Sequence, residues 1–234
     1  MEELNKSEPI ISFEHYIGER KQQVEDYLRF SNAPISEIKN YTVMAIDIVG
    51  STQLSTKLSH EDYAKIVTLV SIEITEAVNN YHGTILKYVG DGAIAVFPSR
   101  ETGEHNALAL ESAKTIATIF SEAINPALKK SNLPEISFRI GVDSGEAASV
   151  LIGKNETLSL DVIGNPLNIA SKIQGAAMPN EICIGEAAVQ QLPKHYGKYL
   201  RQKRLRWEYK NKKGKNYAVY CYNINKGAGQ NKLA

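Results

Sequence analysis

Apolar and polar residues recur along this chain with two different periods, and the changes of period mark its elements. From Phe13 to Phe30, Phe13, Tyr16, Ile17, Val24, Tyr27 and Leu28 fall three and four residues apart, as on the buried face of a helix. SNAPISEIKN, residues 31–40, interrupts that pattern with Pro34 and its Ser and Asn residues and reads as a linker. A β-branched run over 41–48 predicts the first strand. Ser59 reads as the N-cap of a long helix, with Glu61 and Asp62 in its first turn, running to about His82 and ended by Gly83. Two apolar runs, Thr84–Val89 and Ala93–Phe97, meet at Gly90-Asp91-Gly92 and predict a hairpin. A second helix follows over about 102–127, then a strand at Ile136–Val142 and, beyond DSGE, another at 147–152.

GKNET reads as a turn before the strand LSLDVI, and Pro166, a favoured first-turn residue, opens the next helix. EICIGEAAVQQL reads as a strand and a short helix, and residues 197–224 as a β-hairpin pivoting at NKKGK. The order β-α-β-β-α-β with additions predicts an α/β (α+β) fold, an antiparallel-containing sheet with helices on one face. The expected organisation is a helical extension and linker over 1–40, a folded domain over 41–224 and a flexible tail over 225–234.

Composition narrows the class. At 234 residues, 43% hydrophobic and 23% charged, the chain has enough apolar mass for one large domain. A net charge of +1 gives no overall pull toward nucleic acid or membrane. Basic residues cluster between Lys194 and Lys215, but this reads mainly as a solvated hairpin face, with Trp207 and nearby tyrosines the only stacking groups. No nucleic-acid partner is therefore expected. Cys183 and Cys221 read as buried thiols of a reducing compartment, and the five histidines lack ligand spacing. No apolar run approaches ~18 residues, and Met1-Glu2-Glu3 is unlike a signal peptide. A cytoplasmic protein without membrane contact is expected.

AIDIVGST, residues 45–52, delivers Asp47 from the end of a core-like strand into a Gly-containing turn. Burying an unpaired carboxylate costs several kcal/mol, so a positive partner is expected beside it. LKYVGDGAIAVF sets Asp91 between two glycines, where the backbone can approach a ligand closely. Gly-Asp-Gly alone is an ordinary turn. With the two strands as neighbours, however, Asp47 and Asp91 can share one or two divalent cations, as carboxylate pairs do when they hold Mg²⁺ against phosphates.

In this order, AIDIVGST, LKYVGDGAIAVF, FRIGVDSGEA and DVIGNPLNIASKI resemble the catalytic domain of class III nucleotidyl cyclases, over about residues 41–224. The resemblance implies a ferredoxin-like βαββαβ core with extra strands, preceded here by the N-terminal helix. It implies a head-to-tail homodimer with active sites at the interface and a nucleoside triphosphate substrate. It also implies two divalent cations, Mg²⁺ or Mn²⁺, on Asp47, Asp91 and the backbone carbonyl of Ile48. One would activate the ribose 3′-hydroxyl and the other neutralise the departing pyrophosphate.

By the same match Lys87 and Asp161 read the base and Asn168 orients the ribose. Lys172 stands where the family usually has arginine on the transition-state phosphate, keeping the charge but losing the bidentate fork. A hairpin lysine, Lys213 or Lys215, is expected on the triphosphate. A donor beside an acceptor suits adenine. Cytosine offers the same pair, and uracil fits by giving its N–H to Asp161 and a carbonyl to Lys87; guanine fits less easily. The short N-terminal extension and Lys172 are similar to the bacterial pyrimidine cyclases of the Pycsar antiphage system. That likeness implies cyclic UMP or cyclic CMP as a messenger acting on a separate effector protein. Adenylate cyclase is the alternative within the class. A catalytically silent nucleotide-binding regulator, and a different two-metal enzyme acting on nucleic acid, are the alternatives outside it.

Overall fold

The computed structural model describes residues 13–30, 35–100, 104–205, 207, 209–211 and 213–224. The expectations for residues 1–12, for Pro34 and its neighbours in the linker and for the tail over 225–234 lie outside the described residues. The chain divides into two units, Met1–Ile35 and Ser36–Ala234. In the first, α1 (Phe13–Phe30) covers the helical pattern seen in the sequence, with Val24, Tyr27 and Leu28 exposed. Among the described residues no helix is long and apolar enough to cross a membrane.

An eight-stranded mixed sheet organises the second unit. Its strands are β1 (Ile35–Ile48), β2 (Thr84–Val89), β3 (Gly92–Pro98), β4 (Phe138–Ile152), β5 (Ser159–Ile163), β6 (Glu181–Gly185), β7 (Leu200–Lys203) and β8 (Val219–Tyr222). They lie in the order β2-β3-β1-β4-β6-β8-β7, with β5 paired to the outer half of β4. The β4–β6 pair is parallel, whereas β1–β3, β2–β3, β4–β5, β6–β8 and β7–β8 are antiparallel. The helices are α2 (Ser51–Lys57), α3 (His60–Asn80), α4 (His105–Ile119), α5 (Asn125–Lys130), α6 (Asn165–Ala176) and α7 (Glu186–Val189). One π-helical turn, Phe120–Ile124, joins α4 to α5. Ser59 caps α3 by accepting the Asp62 N–H at 3.0 Å.

Four features depart from the sequence expectation. Strand β1 starts at Ile35, because the alternating segment Ile35–Asn40 of the expected linker extends it, and the Ser149 hydroxyl donates to the Glu37 carbonyl at 3.3 Å. Strand β4 runs unbroken through DSGE. Asp143 and Ser144 are buried there, and the Ser144 hydroxyl donates to the Tyr41 carbonyl at 3.2 Å, which keeps the segment in the sheet. Helix α2 occupies residues read only as a turn. Lastly, helices cover both faces of the sheet rather than one. Met44, Ile46 and Ile48 face α3 and α4, whereas Tyr41, Val43 and Ala45 face Leu167 and Ala170 of α6. Helix α6 rests directly on β4 at Gly141, where an added Cβ would stand 2.2 Å from the Ala170 carbonyl oxygen and 2.3 Å from the Gln174 nitrogen.

Candidate active site

The alternation of β1 decides where Asp47 points. Its neighbours Ile46 and Ile48 enter the core beneath α3 and α4, so the Asp47 side chain emerges on the α6 face. There its Oδ2 accepts from Arg139 Nη2 at 2.6 Å and from Gln174 Nε2 at 3.2 Å. The positive partner expected for this acid is therefore, within the chain, a guanidinium. Asp47 is also less buried than its strand suggested, with 27% of its side chain exposed. Arg139 was not singled out in the sequence, although a lone arginine inside the apolar run FRIGV is a signal that could have found it.

The register of the β1–β3 pair brings the second acid to the same place. Ile46 lies opposite Ala93, so the Gly90-Asp91 turn passes the end of β1, and the Ile48 N–H donates to Asp91 Oδ2 at 3.3 Å. Gly92 makes the approach possible. A Cβ there would sit 2.6 Å from the Ile46 carbonyl oxygen and 3.5 Å from Asp47 Oδ1. Tyr63 of α3 stands near both acids. Burial first, and then the negative charge of Asp91, raise its phenol above the ordinary range, while a hydrogen bond with Ser51 opposes the rise. The side-chain donors at this strand end are oxygens, the Asp47 Oδ1 that faces Gly92 and the Asp91 carboxylate. Such a set fits a hard divalent cation such as Mg²⁺ or Mn²⁺.

Lys87 and Asp161 meet on the same face, with Nζ–Oδ2 at 2.5 Å. Neither strand neighbours the other in the sheet, so the β4–β5 arm must fold back over it, and Val162 beside Asp161 packs against Val43, Ala45 and Val96. A bulge in β2 turns Lys87 toward this partner. Ile85 lies opposite Ala95 and Lys87 opposite Ile94, so Leu86 is the extra residue. Without the bulge Lys87 would oppose Ala93 and point to the α3 face. Tyr88 takes that place instead, its hydroxyl 2.5 Å from that of Thr75 on α3.

Asn168 and Lys172 lie exposed on α6, one turn apart. The Lys172 ammonium sits 4.4 Å from the centroid of the Tyr209 ring, and Tyr209 in turn packs on Trp207 at 5.5 Å. These residues and Lys210 line an open cleft of about 490 Å³. A neighbouring cavity of about 690 Å³ is lined by Asp143, Glu186, Lys210, Lys213 and Tyr217 among others. Of the two hairpin lysines, Lys213 lines this cavity. Asp143 is 1% exposed and accepts from the Tyr217 hydroxyl at 2.6 Å, and burial pushes its carboxyl up to about 7. Cys183 and Cys221 face each other across β6 and β8 as buried free thiols, Sγ to Sγ 2.6 Å. Their mutual hydrogen bond first, and burial second, raise the Cys183 thiol.

Residues 33–225 match the family model described as the adenylate and guanylate cyclase catalytic domain. The chain belongs to this family. Among curated proteins this cyclase domain is similar to the cytidylate cyclase of Escherichia coli, 30% identical over 172 residues that make up 68% of this chain and 36% of that protein. A Mycobacterium tuberculosis protein is 32% identical over 139 residues, 58% of this chain and 23% of its own length. The domain thus spans little more than a third of the first relative and about a quarter of the second.

Among solved structures, the guanylyl cyclase Cya2 superposes with a TM-score of 0.71 at 17% identity, covering 80% of this chain and 93% of that one. The adenylyl cyclase CyaB of P. aeruginosa gives 0.69 at 19%, over 80% and 94%. Identities this low speak for the fold alone, which is the class III cyclase fold anticipated from the four motifs.

Proposed function

We propose that this cyclase domain is an active, divalent-metal-dependent nucleotidyl cyclase that works as a homodimer and takes UTP or CTP to a 3′,5′-cyclic nucleotide and pyrophosphate. The observation that carries this reading is the Asp91 carboxylate held on the Ile48 N–H, one residue beyond Asp47. One acid near the end of β1 and another in the β2–β3 turn come to the same strand end, with a glycine clearing the space between them.

In this reading Asp47, Asp91 and the Ile48 carbonyl hold the ions. When bound, Mg²⁺ or Mn²⁺ supplies Lewis-acid polarisation of the ribose 3′-hydroxyl and neutralises charge on the pyrophosphate. The 3′-hydroxyl gives up its proton to solvent as its oxygen bonds to the α-phosphorus, and the bond from that phosphorus to the oxygen leading to the β-phosphate breaks, releasing pyrophosphate. Arg139 and Gln174 fix Asp47 Oδ2, which leaves Oδ1 toward Gly92. Asn168 orients the ribose, and the Lys172 ammonium faces the charge that grows on the α-phosphate oxygens.

Lys87 and Asp161 satisfy each other until a base edge enters between them. Their donor and acceptor then suit cytosine through N3 and the 4-amine, or uracil through O4 and N3–H. The likeness to a cytidylate cyclase supports a pyrimidine over adenine. Apolar residues exposed on the β4–β5 arm, Leu151, Ile152, Leu160 and Ile163, support docking of a second copy on this face. The product serves as a second messenger in antiphage defence in the cytoplasm, read by a separate effector protein; this part rests on Lys172 in the arginine position and on the likeness to a cytidylate cyclase.

The deciding experiment incubates purified protein with Mn²⁺ and each of the four NTPs separately and weighs the products. Cyclic UMP or cyclic CMP is the expected result, and cyclic AMP would instead assign an adenylate cyclase. NTP-induced thermal stabilisation without turnover would identify a silent regulator, for which Lys172 in the arginine position is the motivating observation. Activity that requires DNA or RNA would remove the cyclase reading.

A further inference from the structure

We infer that Tyr209 is a positioning residue for Lys172, an aromatic rest that holds the flexible ammonium where an arginine fork would otherwise be held by its own geometry. The inference builds on the reading of Lys172 as the phosphate-facing cation. Lys172 has four freely rotating bonds and is exposed on α6, so nothing in its own helix restricts it. Its Nζ lies 4.4 Å from the Tyr209 ring centroid, well inside the ~6 Å reach of a cation–π contact.

The ring is itself fixed. Trp207 packs on it at 5.5 Å, and the Trp207 indole N–H donates to the Tyr217 carbonyl at 3.0 Å. The Tyr217 N–H returns to the Tyr209 carbonyl at 2.9 Å, and the Tyr217 hydroxyl is anchored on buried Asp143. A chain of contacts thus runs from the sheet through Tyr217 to the ring under Lys172. Ile169 and Ile173, on the turns of α6 beside Lys172, belong to the same apolar cluster as Tyr217, Trp207 and Tyr209, so helix and ring share one base. A lysine ammonium on a ring face turns only part of its N–H groups to the ring, and the rest remain to donate into the cleft that Lys172, Trp207, Tyr209 and Lys210 line.

The test is a double-mutant cycle on the full chain, Tyr209→Leu, Lys172→Met and both, with kcat and KM measured on the NTP that the wild type cyclises. Tyr209→Leu is expected to lower kcat by about 5- to 30-fold, the range of a partly desolvated cation–π contact, with KM changed less than about threefold. In the Lys172→Met background the same change is expected to lower the residual kcat less than about twofold. Tyr209→Phe, which keeps the ring face, falls between wild type and Tyr209→Leu and nearer the former.

A readout independent of turnover accompanies the kinetics. In the wild type the ring shifts the Lys172 Cε methylene resonance upfield; this signal disappears in Lys172→Met, which assigns it, and moves to the ordinary position in Tyr209→Leu. Equal loss of kcat in both backgrounds, or a parallel rise of KM, would assign Tyr209 to base stacking or to the fold and overturn the inference. So would the absence, in the wild type, of a ring-shifted lysine signal that Lys172→Met removes, since Lys39, Lys114 and Lys198 also lie over rings. If the wild type cyclises no NTP, the functional reading fails, and the lysine signal still decides whether the ring holds Lys172.

Discussion

The acid end of the site and the cation side are built in different ways. Asp47 and Asp91 are placed by backbone: the β1–β3 register, the hairpin turn and the hydrogen bond from the Ile48 N–H to Asp91. Lys87 and Lys172 are long side chains steered by what they touch, Asp161 in one case and the Tyr209 ring in the other. Backbone placement is stiff and tolerates no change of volume; side-chain placement is adjustable and tolerates changes of chemistry. A polyphosphate with its metals needs the first kind of site, and a base that varies among relatives can be served by the second.

The largest effects are therefore expected at the acid end. Asp47→Ala and Asp91→Ala should each lower turnover by about 10³-fold or more, as loss of a catalytic metal site does. Without metal the melting temperature should change little in Asp91→Ala and fall modestly in Asp47→Ala, which leaves the Arg139 guanidinium without its carboxylate. The Mn²⁺-induced rise in melting temperature, measured alongside, should vanish in both variants. Retained turnover in either would show that the ions are held elsewhere.

Gly92→Ala probes the same stiffness without touching a charge. Its new methyl would sit 2.6 Å from a backbone oxygen of β1, which cannot swing aside as a side chain would. Separation of β1 from β3 at this point should cost about 1–3 kcal/mol in urea denaturation and misalign both acids. Activity should fall with it, while the Lys87–Asp161 pair remains intact.

The sequence made the acid end legible because glycines, apolar runs and a two-residue turn are local signals. The hairpin at Gly90-Asp91 and the Ser59 cap both follow from residues within a few positions of each other. What escaped was non-local. The salt bridge of Arg139 to Asp47 spans 92 positions, and no local pattern announces such a partner. Continuity of β4 through DSGE depends on Ser144 bonding to Tyr41 across the sheet, whereas Asp-Ser-Gly taken locally favours a turn. The bulge at Leu86 escaped because simple alternation, applied to TILKYV, puts Lys87 on the wrong face. Placement of α6 on the second face depends on Gly141, one unremarkable residue in an apolar strand, admitting a helix backbone.

On the cation side, smaller and more selective effects are expected. Lys87→Ala or Asp161→Ala leaves one member of a pair without its partner and removes half of the base-reading edge. The expected loss is about 10- to 100-fold in kcat/KM for the preferred NTP, with less for the others, so discrimination among bases narrows. Measuring kcat/KM for all four NTPs in each variant checks this. A uniform loss would mean that the pair serves the fold of the β4–β5 arm rather than the base.

The last effect is on stability alone and concerns an acid that the comparison leaves out. Among the described residues no ion pair holds Asp143, and it lies apart from the acid end. It is 1% exposed, hydrogen-bonded to Tyr217 and near Glu186, and burial raises its carboxyl from 3.8 to about 7. Between pH 4 and 7 the native state then keeps a proton that the unfolded chain has already released. The unfolded state binds fewer protons there, so stability falls as pH rises through this window, by up to about 1.4 kcal/mol per pH unit. The slope is absent below pH 4, where both states are protonated, and ends above about 7, where both are ionised.

His105 works in the opposite sense, because burial lowers its imidazole and costs stability only as pH falls below the ordinary histidine range. Comparing wild type with Asp143→Asn in urea at pH 5 and pH 8 cancels that contribution. The wild type should lose stability relative to the asparagine variant on going to pH 8. Parallel behaviour of the two proteins would mean that Asp143 is ionised in the folded protein throughout this range, its charge accepting the Tyr217 hydroxyl.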